Sequence, residues 1–75
     1  MKVQVYYFAT LRDQKGRSEE SVELPEGCSA REAYRRLCLM SALPVAFAVN
    51  QQYVSGDVVL QEGDELALLP PLGGG

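Results

Sequence analysis

The three glycines at positions 73–75 are the residues of this sequence that point most directly to chemistry. A Gly-Gly-Gly ending carries its α-carboxylate on a backbone without Cβ atoms, so it can enter a channel too narrow for any side chain. An α-carboxyl group ordinarily has a pKa of about 3.5, so it is ionised at neutral pH and is a poor electrophile. We therefore expect it to react only after activation by a separate ATP-using enzyme, which would make an acyl-adenylate. The alternative is a flexible end without function.

Side chains that commonly carry catalysis are scarce. The chain has two cysteines, Cys28 and Cys38, and no histidine. Without histidine it cannot form a Cys-His or Ser-His dyad, and two thiolates are too few for a cysteine-only zinc site. Cys28 lies just before a predicted helix, where a low-pKa reactive thiol is one possible interpretation. We expect no bound metal and no cofactor held by this chain.

The size of the chain limits where any chemistry can take place. With 75 residues the sequence predicts a single domain. A domain of this size buries only about 60% of its unfolded surface, so it has little room for an internal pocket. We therefore expect chemistry at a surface or a terminus, or in a site shared with a partner.

The charge of the chain is acidic and unevenly distributed. The formal net charge is −3, and every lysine and arginine lies at or before Arg36. Nucleic-acid-binding proteins usually carry a basic patch, and the helically spaced Arg31, Arg35 and Arg36 are interpreted as a solvated helix face. We therefore expect no nucleic-acid partner. The acidic residues after Arg36 are Asp57, Glu62, Asp64 and Glu65. They either solubilise the surface or attract a basic partner.

The sequence also predicts where the protein works. Met1 and Lys2 lead directly into a strand pattern, without the long apolar segment of a signal peptide. No apolar stretch approaches the roughly 20 residues that a membrane-spanning helix needs. We therefore expect a cytoplasmic protein with reduced thiols and no membrane partner.

Hydrophobic periodicity predicts the elements of the fold. Alternation indicates strands at residues 2–8 and 18–24, with a polar turn at residues 13–16 between them. Ser29 and Glu32 fit the S-x-x-E capping box of a helix start. The apolar stripe of that helix is Ala30, Ala33, Leu37 and Met40, and Pro44 marks its limit. Further strands are predicted at residues 44–49, 53–54, 58–60 and 65–69.

The predicted order β-β-α-β-β-β indicates an α+β fold, in which one main helix covers one face of a mixed sheet. The domain is predicted to comprise residues 1–69. Residues 70–75 are predicted to form a flexible tail, because prolines lack the backbone donor and glycines lack side chains to pack. Pro70 and Pro71 should stiffen the point where the tail leaves the last strand.

Short motifs along the chain follow the order found in a known family. They are Phe8-Ala9-x-Leu11-Arg12, Ala48-Val49-Asn50-Gln51, Val54-Ser55, Asp57, Leu60, Gly63-Asp64-Glu65, Ala67, Pro70-Pro71 and Gly74-Gly75. In these residues the sequence resembles the small subunit of molybdopterin synthase over nearly its whole length. The resemblance implies a ubiquitin-like β-grasp fold, in agreement with the predicted elements. The chain departs from the family at Gly73, where Ser, Thr or Ala is commoner, and in its short segment between Met40 and Val45.

The resemblance also implies a mechanism. An E1-like enzyme would use ATP and Mg²⁺ to adenylate Gly75, and a sulfur donor would convert the terminus to a thiocarboxylate. The tail, with Gly74 and Gly75 as the reacting end, would insert into the large subunit and pass sulfur to a pterin precursor of the molybdenum cofactor. The catalytic side chains would belong to that partner, in an expected heterotetramer. This chain alone would then not be a catalyst.

A docking patch is predicted on the outer face of the sheet. Alternation places Tyr7 and Leu68 toward the helix, so their neighbours point the other way. These outward residues are Tyr6, Phe8 and Leu69. The resemblance implies that Phe8, Tyr53 and Leu69 contact both the activating enzyme and the large subunit. The remaining predicted partner-binding residues are those of the tail, Pro70, Pro71, Leu72 and Gly73.

Two other classes of function remain open from the sequence. The first is a related sulfur carrier for thiamine synthesis, tRNA thiolation or protein conjugation. The Pro70-Pro71 pair before the glycines is not expected of the thiamine carriers. The second is a β-grasp binding module with an inert tail.

Overall fold

The structure is a computed structural model that describes residues 1–37 and 45–70. The predictions that lie outside these ranges concern Cys38, Met40, Pro44 and residues 71–75. Neither range contains a helix that is long and apolar enough to cross a lipid bilayer.

Within residues 1–37 and 45–70, five strands form one mixed sheet, and the longer of two helices covers one of its faces. The elements are β1 (Lys2–Tyr7), α1 (Thr10–Lys15), β2 (Glu19–Glu23), α2 (Ala30–Leu37), β3 (Ala46–Val49), β4 (Gln52–Val54) and β5 (Glu65–Leu69). The strand order is β2-β1-β5-β3-β4. Only the central pair, β1 with β5, is parallel, and the other three pairs are antiparallel. The predicted α+β class and mixed sheet are confirmed.

The core lies between the sheet and α2. Alternate residues of β1 and β5 point toward the helix, as the period-2 pattern predicts. Those buried residues are Val3, Val5, Tyr7, Leu66 and Leu68. On the helix side, the small side chains of Ala30 and Ala33 are fully buried. Because alanine adds only one carbon beyond the backbone, α2 can approach the branched residues of the sheet closely.

The start of α2 is held by side-chain and loop contacts. Ser29 Oγ accepts a hydrogen bond from the Glu32 amide at 3.2 Å and donates to Glu32 Oε1 at 3.2 Å. The predicted capping box is thus formed on one side only, because the Glu32 carboxylate bonds the hydroxyl rather than a backbone amide. Carbonyls of the loop before β5 accept from two further amides of the first turn, Ala30 N to Val58 O and Arg31 N to Gly56 O, both at 2.9 Å.

The predicted strand at residues 58–60 is wrong. This segment makes a single antiparallel bridge, Val59 with Ser29, and does not join the sheet. Its backbone groups are used elsewhere, since Val58 O accepts from Ala30 N and Leu60 N donates to Cys28 O at 2.9 Å. The apolar pattern correctly indicated a buried residue, because Leu60 is buried. The segment, however, hydrogen bonds to the start of α2 instead of adding a strand to the sheet.

The predicted polar turn at residues 13–16 is also wrong. The chain forms the short helix α1, which Gly16 ends in the left-handed conformation at φ 74°. The Gly16 amide donates to Arg12 O at 2.9 Å. Only Leu11 of this helix is buried, so the sequence has no repeating apolar stripe from which six helical residues could be predicted. The observed element order is therefore β-α-β-α-β-β-β.

Candidate functional site

The face of the sheet opposite α2 carries a row of small residues between two tyrosines. Tyr6 of β1 pairs with Ala67 of β5, Ala67 pairs with Ala48 of β3, and Ala48 pairs with Tyr53 of β4. Ala48 is buried and Ala67 half-buried, whereas Tyr53 is 58% exposed. Because the alanines are small, the row forms a low floor with an aromatic ring at each end.

A second row lies nearer to the end of β5. Phe8, directly after β1, donates its amide to Leu68 O at 3.3 Å, and its side chain is 44% exposed. Leu69 is half-buried and pairs with Ala46 of β3. The structure therefore places Phe8 and Leu69 on neighbouring strands and Tyr53 on the same face at the far edge strand. We name Phe8, Ala67, Leu69 and Tyr53 the outer patch.

The outer patch adjoins the point where the chain leaves the sheet. The strands β1 and β5 run parallel, so both end at the same edge. Leu69 is the last residue of β5, and the exposed Pro70, which has no backbone donor, follows it. The predicted stiff exit at Pro70 thus begins beside Phe8. The other predicted tail residues, Pro71, Leu72, Gly73, Gly74 and Gly75, lie outside the described residues.

An open groove of about 320 Å³ overlaps the outer patch and shares Phe8 and Ala67 with it. The described residues that line it are Tyr6, Phe8, Gln51, Glu65 and Ala67. The pKa of the Tyr6 phenol is raised, first by partial burial and then by the negative charges of Glu65 and Glu19, with Glu65 also hydrogen bonding to the phenol. The groove therefore combines aromatic walls with a negative electrostatic potential.

The β3–β4 hairpin supplies one wall of this groove. Its two turn residues, Asn50 and Gln51, both have positive φ, 51° and 71°. Two consecutive positive φ angles are the geometry of a type I′ turn, in which glycine is the usual second residue. Gln51 occupies that second position despite its side chain. The sequence analysis placed neither Gln51 nor Glu65 in a groove, although Glu65 was among the acidic residues that could attract a basic partner and both residues belong to the motifs of the resemblance.

Asn50 fixes the turn to the start of β5. Its Oδ1 accepts from the Glu65 amide at 3.0 Å, and its Nδ2 donates to Asp64 Oδ1 at 3.1 Å. Its own amide donates to Glu65 O at 2.8 Å. These three bonds set the spacing between Gln51 and Glu65, the two polar residues of the groove.

The acidic residues of the second half have different surroundings. Asp57 forms an ion pair with Arg31, Glu62 Oε1 accepts from the Lys2 amide at 3.0 Å, and Asp64 Oδ2 accepts from the Gln61 amide at 2.8 Å. These three carboxylates brace local structure. Of these four acidic residues, Glu65 is the one on the outer face of the sheet. If an acidic residue attracts a basic partner to that face, as one of the two sequence interpretations has it, Glu65 is the residue placed to do so.

Cys28 does not have the surroundings of a reactive thiol. Its side chain is 2% exposed, and its Sγ lies 3.5 Å from Ser29 O. Burial, and after it the nearby Glu32 carboxylate, raises the pKa of the thiol. The thiolate, which is the nucleophilic form, is therefore disfavoured at neutral pH. The low-pKa interpretation of Cys28 is wrong.

The described residues provide an apolar face beside the chain exit and contain no cluster of three or more His, Cys, Asp or Glu side chains that could hold a metal ion. A mixed sheet in the order β2-β1-β5-β3-β4 with one main helix across it defines the ubiquitin-like β-grasp class. The chain belongs to the ThiS family, whose sequence profile matches residues 5–75.

Individual relatives resemble the chain over nearly all of its length. The molybdopterin synthase sulfur carrier subunit of Chlamydomonas reinhardtii is 35% identical, and the alignment covers 100% of both chains. A Pyrococcus furiosus structure named for subunit 1 of the molybdopterin converting factor is 35% identical with a TM-score of 0.80, covering 96% of this chain and 99% of that one. A Helicobacter pylori complex of subunits 1 and 2 of that factor matches at 22% identity and a TM-score of 0.63, covering 100% of both chains, which shows a shared fold.

Proposed function

We propose that this protein is the sulfur-carrier subunit of a molybdopterin synthase and that its terminal Gly75 carries the sulfur as a thiocarboxylate. The observation that supports this most directly is the 35% identity to a sulfur carrier subunit over the whole of both chains, because that alignment includes the glycine ending. The outer patch beside the chain exit agrees with it, since a carrier needs a docking face close to its reacting end.

The proposed chemistry has three steps. In an activating E1-like enzyme, a Gly75 carboxylate oxygen attacks the α-phosphate of Mg²⁺-bound ATP, and pyrophosphate leaves. Hydrosulfide released by a sulfur donor then attacks the acyl carbon and loses its proton, and AMP leaves with the electron pair of the C–O bond. The resulting thiocarboxylate sulfur attacks a carbon of the pterin precursor and displaces an oxygen substituent, which leaves with the electron pair of its C–O bond. Hydrolysis of the acyl–sulfur bond then returns the Gly75 carboxylate and leaves the sulfur on the pterin.

Each part of the chain has a distinct role in this proposal. Gly74 and Gly75 let the terminus reach an acyl-transfer site without side-chain collision. Residues 70–73 connect that end to the sheet, and the prolines limit the directions it can take. Phe8, Tyr53 and Leu69 provide apolar contacts on which either partner can dock. This chain holds no cofactor in the proposal, and catalytic side chains come from the partner.

One of the same comparisons supports the large subunit as a proposed partner. The Helicobacter pylori structure is a complex of subunits 1 and 2, and we propose that this chain likewise binds a large subunit, two carriers on one large-subunit dimer. An activating enzyme and a sulfur donor complete the set. We place these reactions in the cytoplasm, where ATP and reduced sulfur donors are available.

Reconstitution tests the proposal. The chain is incubated with the activating enzyme and large subunit of its own organism, ATP, Mg²⁺, a sulfur donor and the pterin precursor. We expect intact-mass analysis to show one oxygen replaced by sulfur at Gly75 and the sulfur to appear in the pterin product. The matched control is a chain lacking Gly75, which should keep its thermal stability but form no thiocarboxylate.

Two results would contradict the proposal. If the terminus never acquires sulfur, the chain is not a sulfur carrier. If it acquires sulfur but the large subunit cannot pass it to the pterin, the carrier serves another reaction.

A further inference from the structure

The groove next to the outer patch has a composition that a purely apolar docking face would not need. Two of its walls are the aromatic rings of Tyr6 and Phe8, and its floor is Ala67. Its polar groups are Glu65 and Gln51, and none of these five lining residues is basic. An apolar side chain placed here would desolvate the Glu65 carboxylate without giving it a partner, which is unfavourable.

The negative charge of the groove comes from more than one strand. Glu65 begins β5 and lies beside Tyr6. On the other side of Tyr6, Glu19 of β2 is its direct partner in the antiparallel pairing of β1 with β2. Both carboxylates raise the pKa of the Tyr6 phenol, so both act on the same wall of the groove. A carboxylate has about four acceptor positions, so Glu65 can bond the Tyr6 hydroxyl and still accept two more hydrogen bonds.

Backbone geometry and hydrogen bonds fix the positions of the two polar residues of the groove, Glu65 and Gln51. Asn50 bonds the Glu65 amide through Oδ1 and the Glu65 carbonyl through its own amide. Gln51 is kept at φ 71°, where most residues other than glycine are strained. Gln51 lines the groove together with Glu65, and its side-chain amide offers a hydrogen-bond acceptor as well as two donors there.

We propose that this groove receives an arginine side chain of the protein that docks on the outer patch. The guanidinium stacks on the rings of Tyr6 and Phe8 and donates two parallel hydrogen bonds to the Glu65 carboxylate. The side-chain oxygen of Gln51 accepts a third hydrogen bond. The inference rests on the proposed function only for the identity of the docking protein, the large subunit.

Arginine fits the groove better than lysine does. Its guanidinium is planar, so it can lie against an aromatic ring and meet a carboxylate in its own plane at the same time. A lysine ammonium is a compact, strongly hydrated charge and cannot form the bidentate pair. The contact lies beside the apolar residues of the outer patch, where docking excludes water and strengthens it.

A titration without any partner tests the groove alone. The ¹⁵N-labelled protein is titrated with N-acetyl-arginine amide and, separately, with the lysine and the neutral citrulline analogues. Amide shifts should move at Tyr6, Phe8, Gln51 and Glu65 with the arginine compound, less with lysine and not with citrulline. Glu65→Gln should abolish the response. Equal responses to all three compounds, or none to arginine, would overturn the proposal.

Binding to the large subunit tests the groove in its complex. Glu65→Gln should weaken the affinity roughly tenfold, with a smaller dependence on salt, because one interfacial charge pair is lost. Glu26→Gln, which removes the same charge from an exposed turn before α2, is the matched control and should leave the affinity unchanged. Equal affinities of these two variants would reject the arginine contact while leaving the sulfur-carrier proposal intact. Failure of the unaltered chain to bind the large subunit would reject the proposed function instead, and the titration would still decide the groove.

Discussion

Asn50 and the backbone of Glu65 are joined in both directions: the side-chain Oδ1 of Asn50 accepts from the Glu65 amide at 3.0 Å, and the backbone amide of Asn50 donates to Glu65 O at 2.8 Å. This contact ties the β3–β4 turn to the start of the central strand β5. It also requires Asn50 to remain at φ 51°, a conformation that asparagine tolerates better than most residues do. The turn therefore depends on this residue for both hydrogen bonding and backbone geometry.

The first prediction separates these two contributions of Asn50. Asn50→Gly keeps the positive φ accessible and removes only the side-chain bonds, so we expect a loss of about 1 kcal/mol in the free energy of unfolding. Asn50→Ala loses the same bonds and adds strain at positive φ, so it should lose about 1 kcal/mol more. Urea denaturation followed by circular dichroism measures both. A glycine variant as stable as the original chain would show that the side-chain bonds contribute nothing.

The second prediction concerns Gly56, which is buried between the sheet and α2. A Cβ at this position would lie 2.9 Å from Phe47 Cε2 and 3.0 Å from Arg31 Nη2. Phe47 cannot move away easily, because it is buried and its ring packs edge-on against Tyr34 with centroids 6.2 Å apart. We expect Gly56→Ala to lower the free energy of unfolding by about 1–3 kcal/mol.

Phe47→Leu provides the internal control for that loss. Leucine has no atom at the Cε2 position, so the alanine methyl group at position 56 should be tolerated better in the Phe47→Leu background. Thermal and urea denaturation of the four chains gives the coupling. Strictly additive losses would mean that the collision with Phe47 is not the cause.

The third prediction is a pH dependence centred on Glu20. Tyr7 donates a 2.5 Å hydrogen bond to Glu20 Oε2, Lys15 Nζ lies 3.6 Å from the same oxygen, and Arg17 Nη1 lies 3.2 Å from Oε1. The Tyr7 bond first, and then the two cations, hold the pKa of Glu20 below its ordinary value against the opposing effect of burial. A carboxylate whose pKa is lower in the folded state stabilises the fold above its unfolded pKa of about 4.3.

This stabilisation should disappear as the pH falls through the folded pKa of Glu20, because the folded state must then take up the proton. Glu20→Gln should lower the free energy of unfolding by about 1–2 kcal/mol at pH 7 and by progressively less toward pH 3. Urea midpoints across that range measure the difference, with Glu26→Gln as the exposed control. A gap of equal size at both ends of the pH range would contradict the Glu20 interpretation.

The fourth prediction concerns the thiol of Cys28. In a Cys38→Ser background only Cys28 can react with iodoacetamide. Because burial raises its pKa and restricts access, we expect alkylation at pH 7 to be at least roughly tenfold slower than that of glutathione. Unfolding in urea should remove the protection. Rapid alkylation of the folded chain would contradict this prediction and show that Cys28 is a reactive thiol.

The fifth prediction tests the outer patch with a matched pair of substitutions. Phe8 is 44% exposed beside the chain exit, and Val59 is 50% exposed in the loop at the start of α2 on the other side of the sheet. Phe8→Asp should weaken binding to the large subunit by roughly tenfold or more, because it places a charge in an apolar contact. Val59→Asp should leave the affinity nearly unchanged. Isothermal titration calorimetry checks both, and equal losses would remove the distinction between the two surfaces.

The sequence was sufficient for elements in which one physical pattern dominates. The alternation through Val3, Val5 and Tyr7 predicted β1 and its buried face, and the stripe through Ala30 and Ala33 predicted the buried face of α2. The outward placement of Tyr6, Phe8 and Leu69 is confirmed as geometry, whereas the docking role of Phe8, Tyr53 and Leu69 stays a prediction.

Other features depended on contacts that no local pattern encodes. The segment around Val59 has the composition of a strand, yet distant amides at the start of α2 bind its carbonyls. The groove joins Tyr6 from the beginning of the chain with Gln51 and Glu65 from its second half, so it exists only through the register of β1 with β5. Its members were visible in the sequence, but their proximity was not.

The central position of β5 has a consequence for how this protein matures. This strand lies between β1 and β3, and it is the last of the strands that the structure describes. Until it inserts, the β1–β2 and β3–β4 hairpins have no strand between them, so the sheet closes only through a pairing of distant residues, which is slow to form. Pro70 takes up its place beside Phe8 in that same closing step. Under the proposed function, a nascent or partly unfolded copy would therefore lack the docking face, and an activating enzyme should act only on the folded chain.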